Sequence, residues 1–300
     1  MSLREAPIGC VPIVWNNADL VDLAPEAGYA GILDTLARLG YAGTQVGRGF
    51  PEGAALAAEL GRRRLRLAEL YSTLPAGPAG LADDAGAIAH RDLGRLVDAG
   101  GEVLVVAVDG SRERDAVCGR VNGIDGAPRW PPAAFDRLAA LLDGLARAAP
   151  DDVRIAFHPH TASWVEAPDE VDALASRLAG TGAGLCLDVG HYLVGGGDPV
   201  EGIHRHATLI RHVHAKDVDP AVLARLRAGE LDGFAGAIRA RLFTELGNGA
   251  LDLGGILAAL EAIGYAGWLM VEQDSSWLTP AEAAAAGGRV LRYAIRELDR

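Results

Sequence analysis

RHVHAKDV, residues 211–218, strings His212, His214 and Lys216 two apart through what otherwise reads as a short barrel-type strand, with Asp217 directly after them. Side chains two apart on a strand share a face, so three polar groups point to one side of a sheet. The pattern recurs at the ends of other short apolar runs. IAFHPH carries His158 and His160, GLCLDVGH carries Asp188 and His191, and LMVEQD carries Glu272 and Asp274. In a closed parallel barrel the carboxyl ends of the strands converge on one mouth, so residues far apart in sequence meet there.

Outward from that stretch, a short β-like run followed by an Ala/Leu-rich helical pattern repeats about eight times, the sequence form of successive βα units. The runs predict strands at 8–15, 43–46, 65–70, 102–108, 153–158, 184–188, 210–215 and 268–272. Helical spacing predicts helices at 31–39, 54–64, 85–98, 132–147, 168–178, 198–206, 253–263 and 281–298. Pro168 suits a first helical turn with Asp169 and Glu170 at the favourable end, and Gly264 stops the helix before Trp268 opens the last strand. The intervals 110–130 and 217–240 read as insertions after strands four and seven, the second with a helical pattern of its own around 222–226. No long linker divides the chain, and no glycine-rich phosphate fingerprint follows the first strand. The expectation is therefore a single (β/α)8 TIM barrel, one domain over residues 1–300.

Composition narrows the partners. A formal net charge of -12 and a pI near 5.1 give no basic field for nucleic acid or an anionic membrane. No uninterrupted apolar run of membrane-spanning length occurs, and the start of the chain lacks the pattern of a secretion signal, so a cytoplasmic protein is expected. Cys10, Cys118 and Cys186 form neither a paired framework nor a thiolate metal motif. The remaining partner class is a small-molecule polyol or sugar, and homo-oligomerisation is left open.

Carboxylate oxygens mixed with imidazole nitrogens, without clustered thiolates, suit a hard or borderline divalent ion. The expected ligands are Asp188, His214 and Glu272, with His158 as the fourth. Each has a structural alternative: a helix cap for Asp188, a buried ion-pair partner for Glu272, a hydrogen-bonded core imidazole for His214. His212 is read as structural. His160, His191 and Lys216 supply proton-transfer chemistry, Lys216 only with a depressed pKa or through charge alone. In PIVWNNADL, Trp15 and Asn16 offer an apolar wall and an amide to a hydroxylated ring, and Gln45 and Glu69 could bind further hydroxyls. Core packing and caps are the alternatives for these four.

Together PIVWNNADL, GYAGTQVG, GLCLDVGHYLVGGGDP, RHVHAKDV, FTELGNGALDL and GYAGWLMVEQD resemble the xylose-isomerase-like barrel superfamily, and within it the inosose (2-keto-myo-inositol) dehydratase branch. The resemblance runs from Pro7 to Asp274. It implies manganese or cobalt on Asp188, His214 and Glu272, and an enzyme of inositol catabolism that removes water from a keto-inositol or related cyclic polyol. Proton abstraction beside the ketone would precede loss of the β-hydroxyl. Sugar isomerases and ketose 3-epimerases, which act through an enediolate, share these phrases and are the alternative. Two departures stand out. His158 occupies the region where the isomerases carry a fifth-strand glutamate, with Glu166 as another supplier, and Gln45 stands where related sequences often carry an acid.

Overall fold

Eight parallel strands pair in chain order and the last closes on the first: β1 (Ile8–Cys10), β2 (Gly43–Gln45), β3 (Arg66–Leu74), β4 (Val103–Val108), β5 (Arg154–Phe157), β6 (Gly184–Asp188), β7 (Ile210–Ala215) and β8 (Leu269–Val271). Closure is parallel, with Ile8 opposite Leu269 and Cys10 opposite Val271. This is a computed structural model, and it describes residues 3–17, 20–23 and 26–298. Ala18 and Asp19 of the PIVWNNADL stretch lie outside the described residues.

One principal helix follows each strand: α1 (Tyr29–Arg38), α2 (Gly53–Arg62), α3 (Ala85–Asp98), α4 (Pro132–Ala148), α5 (Pro168–Leu178), α6 (Pro199–Arg205), α7 (Leu253–Ala262) and α8 (Pro280–Glu297). Their starts are chemically marked. Pro168 opens α5, and the Glu170 carboxylate accepts the backbone N–H groups of Glu166 and Ala167. Asp198 caps α6, and Thr279 and Glu282 cap α8 reciprocally. Among the described residues, no helix is long and apolar enough to cross a membrane.

The expected barrel with insertions after β4 and β7 is what the chain forms, with two corrections to strand length. The run 8–15 is strand only to Cys10, because Pro12 lacks an N–H and opens a 3-10 turn over Pro12–Val14. Trp15 and Asn16 therefore sit in a loop rather than at a strand end. Conversely, β3 runs on past residue 70 to Leu74, pairing with β4 as far as Leu74 opposite Val108. Ser72, within that extension, is buried and donates its hydroxyl to Asp92 of α3 at 2.8 Å.

Both insertions carry short helices, Arg112–Asp115 after β4, then Pro220–Arg227 and Gly233–Arg239 after β7. Arg114 is wholly buried and makes a two-pronged pair with Glu170 at 2.7 and 2.9 Å. Asp115 accepts the Phe234 N–H at 2.7 Å, which ties the two insertions together.

The barrel interior has two storeys. Below, Trp268 and Met270 pack with Ala68, Val103, Val105, Ala156 and Cys186. Glycine makes room for them: a Cβ on Gly9 would lie 2.3 Å from the Met270 sulfur, and one on Gly43 2.6 Å from the Trp268 ring. The Trp268 N–H reaches Glu102 at 2.9 Å, and the Arg66 guanidinium stacks over its ring. Above this plug the inward positions turn polar. Trp268→Ala would open a cavity that glycine-flanked walls cannot fill, and a loss of about 3–5 kcal/mol is expected. Denaturant unfolding monitored by circular dichroism checks it, with the secondary structure of the folded state unchanged.

Candidate active site

Alternation along β5 to β8 carries His158, Asp188, His214 and Glu272 to the carboxyl ends of their strands, each within one residue of the strand's last position. All four are buried. Their facing atoms crowd together: His158 Nε2 is 3.6 Å from Asp188 Oδ2, His214 Nδ1 is 3.8 Å from Asp188 Oδ2, and His214 Nδ1 is 2.6 Å from Glu272 Oε2. None of these four atoms makes a well-formed hydrogen bond. Buried polar atoms are normally satisfied, so four unsatisfied donors converging on one point are the feature of a coordination site. Asp188, His214 and Glu272 can each offer one ligand atom to a shared ion, and His158 stands beside Asp188. The donor set, two carboxylates and two imidazoles, fits a divalent cation.

Asp188 is also a cap, its Oδ1 accepting the His191 N–H at 2.7 Å, and this fixes the carboxylate with Oδ2 turned to the other ligands. On its far side His214 presents Nε2 to Glu69 at 2.9 Å. Burial alone would depress the His214 pKa, but the Cys186 sulfur and the Glu69 and Glu272 carboxylates carry it well above the usual histidine value. Burial raises Glu272, yet Lys216 and then His214 hold it well below the carboxylate norm. Burial pushes the Cys186 thiol up to about 12.

Lys216 is fully buried with its ammonium 2.7 Å from Glu272 Oε1, 2.9 Å from Asp274 Oδ2 and 3.5 Å from Asp188 Oδ2. Desolvation would favour the neutral amine, but Asp274, Glu272 and Asp188 carry its pKa well above the lysine norm. A lysine held protonated can only donate, so it donates to His191 Nε2, 3.0 Å away, while His191 Nδ1 accepts the Thr161 backbone N–H at 3.2 Å and lies 2.7 Å from the Thr161 hydroxyl. Burial, then His160 and Lys216, push the His191 pKa well below normal. Both of its nitrogens are thus engaged. His160 differs: Nδ1 donates to the Thr161 carbonyl at 2.7 Å, which leaves the Nε2 lone pair on a half-buried ring that lines the cavity above the ligands. Burial, with His158 and Lys216, brings its pKa down to about 3, so the ring is neutral.

That cavity measures about 270 Å³. Its wall holds Gln45, Tyr71, Thr73, Asp109, His160, Thr161, Ser163, Glu272 and Asp274, a polar lining closed by Ile13, Ala107 and Val108. Of the expected site residues, His158, His160, Glu272 and Gln45 face it. His191, Lys216, Asp188 and His214 stand behind it. Trp15 packs in the core between barrel and helices. Asn16 spends its amide on the loop, donating to the Ala27 and Arg48 carbonyls and accepting the Ala27 N–H. Glu69 lies below the cavity against His212 and His214.

Glu166, the other candidate for fourth ligand, faces elsewhere: its carboxylate accepts the N–H groups of Gly119 and Ala162, and burial raises its pKa to about 7. Asp217 is a loop organiser that accepts the N–H groups of Val218, Gly247, Gly249 and Leu251. Thr161, Thr73 and Ser163 were not singled out from the sequence: Thr161 and Ser163 are small hydroxyls in a loop, and Thr73 lies in the part of β3 beyond the expected strand end. Asp109 stands one residue past β4, as His158 and Glu272 stand one residue past β5 and β8, but unlike them was not singled out.

A closed eight-stranded barrel with carboxylates and imidazoles gathered at the carboxyl mouth defines a metal-site TIM barrel. The chain belongs to the xylose isomerase-like TIM barrel family, whose model matches residues 21–294. It is 31% identical over 296 residues to the inosose dehydratase of Clostridium botulinum (strain Eklund 17B / Type B), covering 96% of this chain and 97% of the relative. It is 36% identical over 298 residues to the rhizopine catabolism protein MocC of Rhizobium meliloti, covering 95% of this chain and 87% of the relative. Among solved structures, L-ribulose 3-epimerase superposes with a TM-score of 0.70 at 18% identity, over 98% of this chain and 96% of that one, a likeness of fold alone.

Titration with Mn2+ is expected to reveal one tight site per chain, abolished in Asp188→Asn and in His214→Ala. Because the His214 pKa is raised in the metal-free protein, the ion must displace a proton from it. Affinity should therefore fall as pH falls through the neutral range, and calorimetry in buffers of different ionisation enthalpy should register proton release.

Proposed function

We propose that the protein is a metal-dependent dehydratase that removes water from a keto-inositol or a related cyclic polyol, using manganese or cobalt. The supporting observation is the pairing of a carboxylate and imidazole donor set with a neutral, cavity-facing imidazole, His160, whose lone pair is free. Near-full-length similarity to inosose dehydratases supports the substrate class. His158, Asp188, His214 and Glu272 would hold the ion, which when bound supplies a Lewis acid that draws electron density from a ketone oxygen and acidifies the adjacent C–H.

The chain's own residues account for the rest. His160 takes the acidified carbon-bound proton at Nε2, while its Nδ1–H stays on the Thr161 carbonyl and fixes the ring. The resulting imidazolium, disfavoured by burial beside Lys216, gives the proton up readily to the departing β-hydroxyl. One imidazole serving both steps works on a single face of the ring. Lys216 acts through charge, since it lies behind Glu272 and Asp274 rather than in the cavity wall. His191, engaged at both nitrogens, orients Lys216 and Thr161. Gln45 and Tyr71 offer hydrogen bonds to ring hydroxyls.

An isomerase or epimerase working through an enediolate gains from two opposed carboxylates, and here the fifth strand presents His158 in place of the second. Incubation of the manganese-loaded protein with 2-keto-myo-inositol should yield a product lighter by one water in mass spectra. An isomer of unchanged composition that incorporates solvent deuterium would favour the epimerase instead. His160→Ala should lower kcat by about 10²–10⁴-fold with metal content unchanged.

A further inference from the structure

Among the described residues, Glu69 is a carboxylate of the barrel interior that does not line the cavity and meets the donor cluster only from behind, through His214. It is completely buried, and one oxygen, Oε2, meets both His214 Nε2, at 2.9 Å, and His212 Nε2. An irregularity in the barrel accompanies it: Thr44 of β2 pairs with Leu67, but the next residue, Gln45, pairs with Glu69, so β3 carries one extra residue at Ala68. Ala68 packs in the apolar lower storey, and Glu69 directly after it also reaches into the barrel. A strand irregularity beside a site commonly re-aims a side chain.

His214 must present one nitrogen to an ion with a lone pair on it, and an imidazole can do so from either nitrogen unless something fixes the tautomer. Nδ1 is the nitrogen beside Asp188 and Glu272. We propose that Glu69 is a positioning residue for divalent-metal binding: by accepting the Nε2–H of His214 it holds that proton in place, so that Nδ1 is the nitrogen given to the ion and the proton displaced on binding is the one on Nδ1, while His212 Nε2 meets the same carboxylate oxygen. Such an outer carboxylate orients the ring and raises its basicity as a ligand. This rests on the assignment of His158, Asp188, His214 and Glu272 as a metal centre, and not on the identity of the substrate.

The test is Mn2+ affinity by calorimetric titration of the full chain, together with the visible absorption spectrum of the Co2+-loaded protein. Glu69→Gln keeps the shape and one acceptor but loses the charge, while Glu69→Met removes the acceptor altogether. Metal affinity should fall by about 10–100-fold, less in the Gln variant than in the Met variant, and the Co2+ bands should shift as His214 loosens. If Glu69→Met does not fold, Glu69→Gln carries the measurement. Folded variants with wild-type affinity and an unchanged Co2+ spectrum would overturn the proposal. A wild-type chain that binds no divalent ion would overturn both it and the metal centre. Weakened metal binding in a chain that leaves every keto-inositol intact would support the Glu69 role while removing the substrate assignment.

Discussion

Four carboxylates, Glu69, Asp188, Glu272 and Asp274, are buried within one barrel, and the rest of the upper storey is arranged around that charge. Isolated carboxylates do not survive desolvation unless paired. Lys216 lies within 3.5 Å of three of them and His214 touches Glu69 and Glu272, so one ammonium and one imidazolium meet four negative charges. A divalent ion that displaces the His214 proton exchanges one positive charge for two and brings the interior nearer to neutrality. Electrostatics and ligand chemistry therefore call for the same occupant. The same balance explains why Lys216 stays protonated, and why His160 and His191, desolvated and next to other imidazoles and that cation, stay neutral. The chemistry assigned to His160 is a by-product of how the barrel tolerates its acids.

The charged storey rests on a rigid one. Large side chains from β8 fill the base, glycines on β1 and β2 receive them, and the ligands follow in register two residues further along each strand. Sites built on strands hold their groups more closely than sites built on loops. The loop after β5 adds the Thr161 and Ser163 hydroxyls to the cavity wall, while Gln45, Tyr71 and Thr73 stand on β2 and β3.

Much of this was legible in the chain. Period-two alternation with a terminal acid or imidazole, as in GLCLDVGH and RHVHAKDV, fixes both the inward face and the height of a side chain, so the four converging donors could be read from local sequence. Height was misjudged where a strand continued through polar residues. Ser72 and Thr73 read as loop, which set Glu69 at a strand end, whereas β3 extends to Leu74 and leaves Glu69 in mid-strand beneath the site. The one-residue irregularity at Ala68 depends on pairing with β2 and has no local signature. Trp15 and Asn16 were read at the end of a strand that Pro12 ends early, so they lie in the loop that follows. Lys216 and His191 follow their strands as expected, but both stand behind the cavity, Lys216 because Glu272 and Asp274 lie in front of it, a tertiary fact.

The bond between Asp115 and the Phe234 backbone has a mechanical meaning. It joins loops that leave the barrel at β4 and β7, and the Phe234 ring rests edge-on against His160, with ring centres 5.1 Å apart. The two insertions are tied on that side of the rim, and the Phe234 ring beside the tie packs on His160. A change of sequence in either insertion therefore bears on the packing of one cavity imidazole, although it lies away from the four converging groups.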